Sequence, residues 1–107
     1  MDEDKLIDEE NMADESEEMD ENEKKEFDVV RYVNKSSYRR RAMKAIGHNV
    51  KIPKEIAQDS DILQNHISNV LRDLKDKELV ECLNPDMKKG RLYRLSENGL
   101  DILDRVE

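Results

Sequence analysis

Fourteen of the first 26 residues are Asp or Glu, and that block decides how much chain is left to build a core. Its apolar residues are sparse, chiefly Leu6, Ile7, Met12, Ala13 and Met19. A segment this charged cannot bury enough surface to offset the entropy of ordering it. Residues 1–26 are therefore expected to be a disordered acidic tail. Ala, Met and Glu near residues 11–19 are compatible with a transient helix. Three roles are open to the tail: a solvating segment, a mimic of the phosphate backbone that competes for a basic face, or a lure for a basic partner. The fold itself must come from residues 27–107, enough for one modest core.

The tail also distorts the charge balance. The 107-residue chain carries a formal −8. Residues 1–26 contribute 14 Asp/Glu against 3 Lys, or −11, and residues 27–107 contribute 16 Lys/Arg against 13 Asp/Glu, or +3. An acidic whole therefore does not exclude a nucleic-acid partner. Cys82 is the single cysteine, so it can form no internal disulfide and no thiolate metal site alone, which fits a reducing compartment. No apolar run reaches the ~18 residues of a membrane span. An acidic N-terminus is the opposite of a signal or transit peptide. The expectation is a soluble, cytoplasmic protein with no membrane partner.

Along residues 27–107 the apolar spacing marks short elements. In Phe27-Asp28-Val29-Val30-Arg31-Tyr32-Val33 the positions 27, 30 and 33 recur at helical spacing, while the β-branched content leaves a strand open. Ser36 and Ser37 are N-cap candidates for a helix with Tyr38, Ala42, Ala45 and Ile46 on its inner stripe, Met43 beside them and Gly47 at its end. Residues 49–51 suit a small strand or loop. Pro53 opens a short helix with Ile56 and Ala57 inward, and Asp59-Ser60-Asp61 reads as a turn. A longer helix follows, about 64–75, with Ile67, Val70, Leu71 and Leu74 as its core stripe. Residues 79–83 and 91–95 read as two strands of a hairpin, joined by Asn84-Pro85-Asp86 and Gly90. Ser96 caps a last helix with Leu100, Leu103 and Val106 as its stripe and Ile102 nearby.

This order implies a mainly α fold with a small β-hairpin: a winged helix-turn-helix preceded by a disordered acidic tail. A helix of that kind fits the DNA major groove, where every base pair shows a distinct pattern of donors and acceptors. Its outer face offers Gln64, Asn65, Ser68, Asn69 and Arg72 as base contacts, with a phosphate, further along the helix, as the other reading for Arg72. Candidate backbone contacts are Lys88, Lys89 and Arg91 in the loop 84–91, Arg39 and Arg40 on the first helix, and Lys54 at the second. His66 either flanks this face or is an ordinary boundary histidine, with no second metal ligand at ligand spacing. Cys82 alternates with Val80 and so points inward, with a redox-sensing thiol as the other reading. Tyr93 suits a core anchor better than a stacking platform.

These residues resemble a known family. Val80-Glu81-Cys82-Leu83-Asn84-Pro85-Asp86, with Lys88-Lys89-Gly90-Arg91-Leu92-Tyr93-Arg94-Leu95-Ser96-Glu97-Asn98-Gly99, looks like the wing of archaeal winged-helix transcriptional regulators similar to the ArsR and MarR groups. Ser37-Tyr38-Arg39 and His66-Ile67-Ser68-Asn69-Val70-Leu71-Arg72-Asp73-Leu74 look like the family's first-helix start and recognition helix. The likeness spans residues 27–107 and implies a DNA-binding regulator, often dimeric through terminal helices. Two positions depart from it. The turn before the recognition helix holds Asp59-Ser60-Asp61 instead of a glycine. The usual small polar cap falls on Leu63, which suggests an earlier start capped by Asp61 with Gln64 reaching back. The cysteine motifs of metal-sensing ArsR proteins are absent, so the resemblance carries no metal site.

No paired nucleophile and base, phosphate loop or metal cluster is readable, so an enzyme is not expected, nor a cofactor, nor a small-molecule ligand. The rival expectation is a winged helix used as a protein-interaction module without DNA binding. The apolar stripes of residues 27–33 and 100–106 predict a homodimer.

Overall fold

A computed structural model describes residues 20–107; residues 1–19 of the tail expected over 1–26, and with them the transient helix considered near residues 11–19, lie outside the described residues. The chain runs α1 (Glu21–Asn34), α2 (Ser37–Ile46), α3 (Pro53–Ser60), α4 (Gln64–Asp76), β1 (Val80–Cys82), β2 (Tyr93–Leu95) and α5 (Glu97–Ile102), then a 3-10 turn, Leu103–Arg105. It is a mainly helical fold with one two-stranded antiparallel sheet.

Residues 21–26, expected in the tail, are the opening turns of α1, and residues 27–33 are helix throughout. Asp20 caps the helix, its carboxylate accepting the Glu23 N–H at 2.7 Å. Glu21 and Glu23 in the first turn favour the positive end of the helix dipole. Val30 and Val33 bury the inner face of α1. At its other end, all four terminal carbonyls are satisfied. The backbone N–H groups of Lys35 and Ser36 take those of Arg31 and Val33. Arg39 takes that of Tyr32 through Nε and Nη2 at 3.0 and 2.7 Å, and Arg40 takes that of Asn34 through Nη1.

Ser36 caps α2, accepting the Arg39 N–H at 3.3 Å. Gly47 ends it at φ 54°, a left-handed conformation where the missing Cβ removes strain. Ala42, Met43 and Ile46 are its buried residues, whereas Tyr38 is 36% exposed. The buried face is thus turned slightly from the stripe expected through Tyr38 and Ala45. Pro53 opens α3 as expected, and the Glu55 carboxylate reaches back to accept the Ile52 N–H at 3.1 Å. Ser60, buried in the last turn, gives its hydroxyl to the Ile56 carbonyl at 2.6 Å.

The connection from α3 to α4 corrects the expected cap. Asp61 does not start α4; it closes α3 in the left-handed conformation, φ 58°. It stands where a glycine would serve, and aspartate is among the few residues that tolerate it. Ile62 then donates its N–H to Ala57 and buries its side chain at 4% exposure. α4 begins at Gln64 with Leu63 as N-cap and no side-chain cap bond. Ile67, Val70, Leu71 and Leu74 of α4 are all buried, as their spacing predicts.

The hairpin pairs Val80 with Leu95, Glu81 with Arg94 and Cys82 with Tyr93. Both strands are shorter than expected, although one further bond, Leu83 N–H to the Leu92 carbonyl at 2.8 Å, extends the ladder. Lys51 adds a single antiparallel bridge to Tyr93, so the segment after α2 is tied to the hairpin. Cys82 is half-buried, its thiol 3.7 Å from the Asn84 side-chain oxygen.

The end of the chain buries its expected stripe at Val106 and in part at Leu103, but not at Leu100. Gly99, Ile102 and Val106 face the core, Leu103 is partly buried, and Leu100 is 40% exposed. A Cβ on residue 99 would lie 2.2 Å from the Leu79 carbonyl oxygen, so only glycine lets α5 sit this close to the root of β1. Ser96 fixes the same junction: its hydroxyl donates to the Glu78 carbonyl at 2.6 Å and accepts the Gly99 N–H at 3.1 Å. The chain end returns to α1 through Arg105–Glu26 at 2.8 Å and the Glu107 N–H on the Asn34 side chain at 2.9 Å. Most of the apolar stripes that motivated a homodimer are thus used inside the chain: Val30, Val33, Ile102 and Val106 are buried. No helix among the described residues is long and apolar enough to cross a membrane.

Candidate nucleic-acid interface

α4 turns its polar side outward because its apolar residues occupy the opposite one. Gln64, Asn65, Ser68, Asn69 and Arg72 are all exposed. Among the described residues, no side-chain hydrogen bond engages any of the five. A 3.6-residue period places Asn65, Asn69 and Arg72 along the middle of this face, with Gln64 and Ser68 to one side and His66 to the other.

On the Ser68 side, α4 and the hairpin loop enclose a cleft of about 400 Å³. Ser68, Arg72 and Lys75 line it from α4, Lys88, Gly90 and Arg91 from the loop, and Pro53 from the start of α3. Four of these residues are cations and none is an acid. None of the four cations is in an ion pair among the described residues. Lys75 was missed by the sequence reading, although it lies on the helical line Ser68, Arg72, Lys75 (i, i+4, i+7). Lys54 and Lys89 are exposed and neighbour lining residues in sequence, one beside Pro53 and the other between Lys88 and Gly90.

One side chain closes the neck of the loop. The Asn84 amide accepts the Leu92 N–H at 2.7 Å and donates to the Gly90 carbonyl at 3.2 Å, closing the loop at its neck. Gly90 takes φ 69°. Arg91 is partly spent inside the loop, its Nε donating to the Met87 carbonyl at 2.6 Å. Arg94, further down the hairpin, is paired with Glu81 at 2.5 Å. The cations left for an anionic ligand therefore gather toward the loop tip.

Arg39 and Arg40 sit differently from the expectation. Both are half-buried against the end of α1, and the Arg39 guanidinium stacks 3.8 Å from the Tyr32 ring centre. The arginine on the α4 side of α2 is Arg41. It lies 5.1 Å over the Tyr38 ring and donates to the Asp61 carbonyl at 3.3 Å. Tyr38 in turn meets exposed His66, with ring centres 5.9 Å apart. Tyr93 is half-buried and packs on the core while its edge borders the cleft. Among the described residues, no group of His, Cys, Asp and Glu is placed to hold a metal ion.

Comparison with known proteins returns no family, no curated relative and no solved structure similar to this chain.

Proposed function

We propose that this chain is a winged helix-turn-helix protein that binds double-stranded DNA sequence-specifically and regulates transcription in the cytoplasm. α3 and α4 form the helix-turn-helix unit and the loop 84–91 is the wing. The observation that carries the reading is the acid-free cleft in which α4 and the hairpin loop bring Arg72, Lys75, Lys88 and Arg91 together. A duplex laid along it would meet cations on its phosphates while Gln64, Asn65 and Asn69 faced base edges in the major groove. Thirteen residues make α4 about 20 Å long, enough to follow the groove across several base pairs.

Fluorescence anisotropy of the full chain with a mixed-sequence duplex, at two salt concentrations, tests this. Binding that weakens steeply with salt supports the reading. No binding at low salt overturns it.

One observation favours the rival, a winged helix that docks a protein. Leu63 at the start of α4 is 66% exposed, and Met87 and Leu92 on the hairpin are exposed at 52% and 37%. Retention of a partner by the chain, unaffected by competing duplex, would select that reading. A homodimer remains part of the proposal only through Phe27 and Leu100, the stripe residues left exposed. A twofold pair would set two α4 helices about one DNA turn apart. Sedimentation showing a monomer at high concentration removes it.

A further inference from the structure

We infer that residues 2–18 dock in the cleft between α4 and the hairpin loop of their own chain, and compete there with duplex DNA. The competition rests on the nucleic-acid reading above; the docking does not.

Charge is the first argument. Residues 2–18 carry ten Asp/Glu against one Lys. Residues 20–107 carry 18 Lys/Arg against 17 Asp/Glu, so this part has almost no net field to attract a polyanion. Its attraction must be local, and the cleft lined by Arg72, Lys75, Lys88 and Arg91 is where cations gather without acids.

Position is the second. The segment leaves the fold at Asp20, the cap of α1. Glu21 and Lys24 of that first turn share a groove with Asp76 and Lys77, at the end of α4. Arg72 is four residues back along the same helix, a rise of about 6 Å. Ten extended residues reach up to about 35 Å, so the acids at 8–10 can pass the whole of α4. Tethering at this range gives an effective concentration in the millimolar region, which free acidic ligands in solution seldom match.

The third is the alternation of the segment. Its acids fall in clusters at 2–4, 8–10 and 14–18, separated by Leu6-Ile7 and Met12-Ala13. The hairpin offers exposed Met87 and Leu92 beside its basic loop, so apolar pairs between acidic clusters have surfaces to cover.

Two measurements on the full chain test this. In the first, a spin label is placed at Ser16→Cys in a Cys82→Ser background, and amide relaxation is read without DNA. Broadening at α4 residues 68–75 and the loop 84–91 is expected, beyond the first turn of α1 that the tether alone keeps near the label. It should vanish at high salt and on replacing Arg72, Lys75, Lys88 and Arg91 by Ala. Absent broadening, or broadening that ignores those four substitutions, overturns the inference.

In the second, the ten acids are changed to Asn and Gln and binding to a mixed-sequence duplex is measured. Affinity at low salt should rise about tenfold, as when one molecule in ten has an open cleft, and the gain should shrink as salt rises. Equal affinity overturns the competition. If neither chain binds duplex while the label still broadens the cleft, the docking stands and the DNA reading falls.

Discussion

The arginines of α2 and the cations of the hairpin loop look alike in sequence, as short basic runs beside a helix, but the fold employs them differently. Arg39 and Arg40 lie next to a helix end that needs donors. They close the last open carbonyls of α1, those of Tyr32 and Asn34. Lys88 and Lys89 sit on a loop whose carbonyl at Gly90 is already taken by Asn84. The lesson is local: a basic side chain is available to a ligand only where the backbone around it has found other partners.

The largest effect that would sharpen this contrast comes from the loop side. The triple change R72A/K88A/R91A should lower the slope of log affinity against log salt by about 3, near 0.9 per lost phosphate contact. The unfolding midpoint should stay put. An unchanged slope would mean that the cleft does not hold phosphates. Next is Asn65→Ala, which should cost about 2 kcal/mol of preference at one base pair and leave the salt slope alone; selection from a random duplex library would read it. Arg39→Met should act in the opposite manner. It should lose about 1 kcal/mol of stability, measured by urea unfolding, since the partly exposed Tyr32 carbonyl can recover water in part. Its salt slope should not move. A slope lower by about 1 would break the contrast and return Arg39 to the interface. The smallest effect is Asp61→Gly, which should stabilise by about 0.5 kcal/mol, because relief of the left-handed backbone slightly exceeds glycine's entropy cost.

Much of the fold was legible, and the misses have physical causes. The α4 stripe was readable because Ile67, Val70, Leu71 and Leu74 face one continuous core. The start of α1 was hidden because its first turns are exposed and bury nothing, so hydrophobic periodicity was silent there. A signal did exist: Asp20 followed three residues later by Glu23 is a capping pattern, and Glu and Lys are strong helix formers. Leu100 was misplaced on the last stripe because a six-residue helix that tightens into a 3-10 turn does not keep one period. At the interface, the outer face of α4 followed from its inner one. Which cations remain unspent did not, because that depends on carbonyls brought near by tertiary packing.

Gly99 touches no part of the candidate interface, yet it packs directly behind the root of the hairpin. α5 rests against the Leu79 carbonyl with no room for a methyl group, and Leu79 is the residue from which β1 departs. Any side chain at 99 would lift that root and swing the loop relative to α4. The spacing between two rows of cations is thus set from behind, as a hinge pin sets the gap of a calliper. A change at this one buried position would reset that gap while leaving every surface residue as it was.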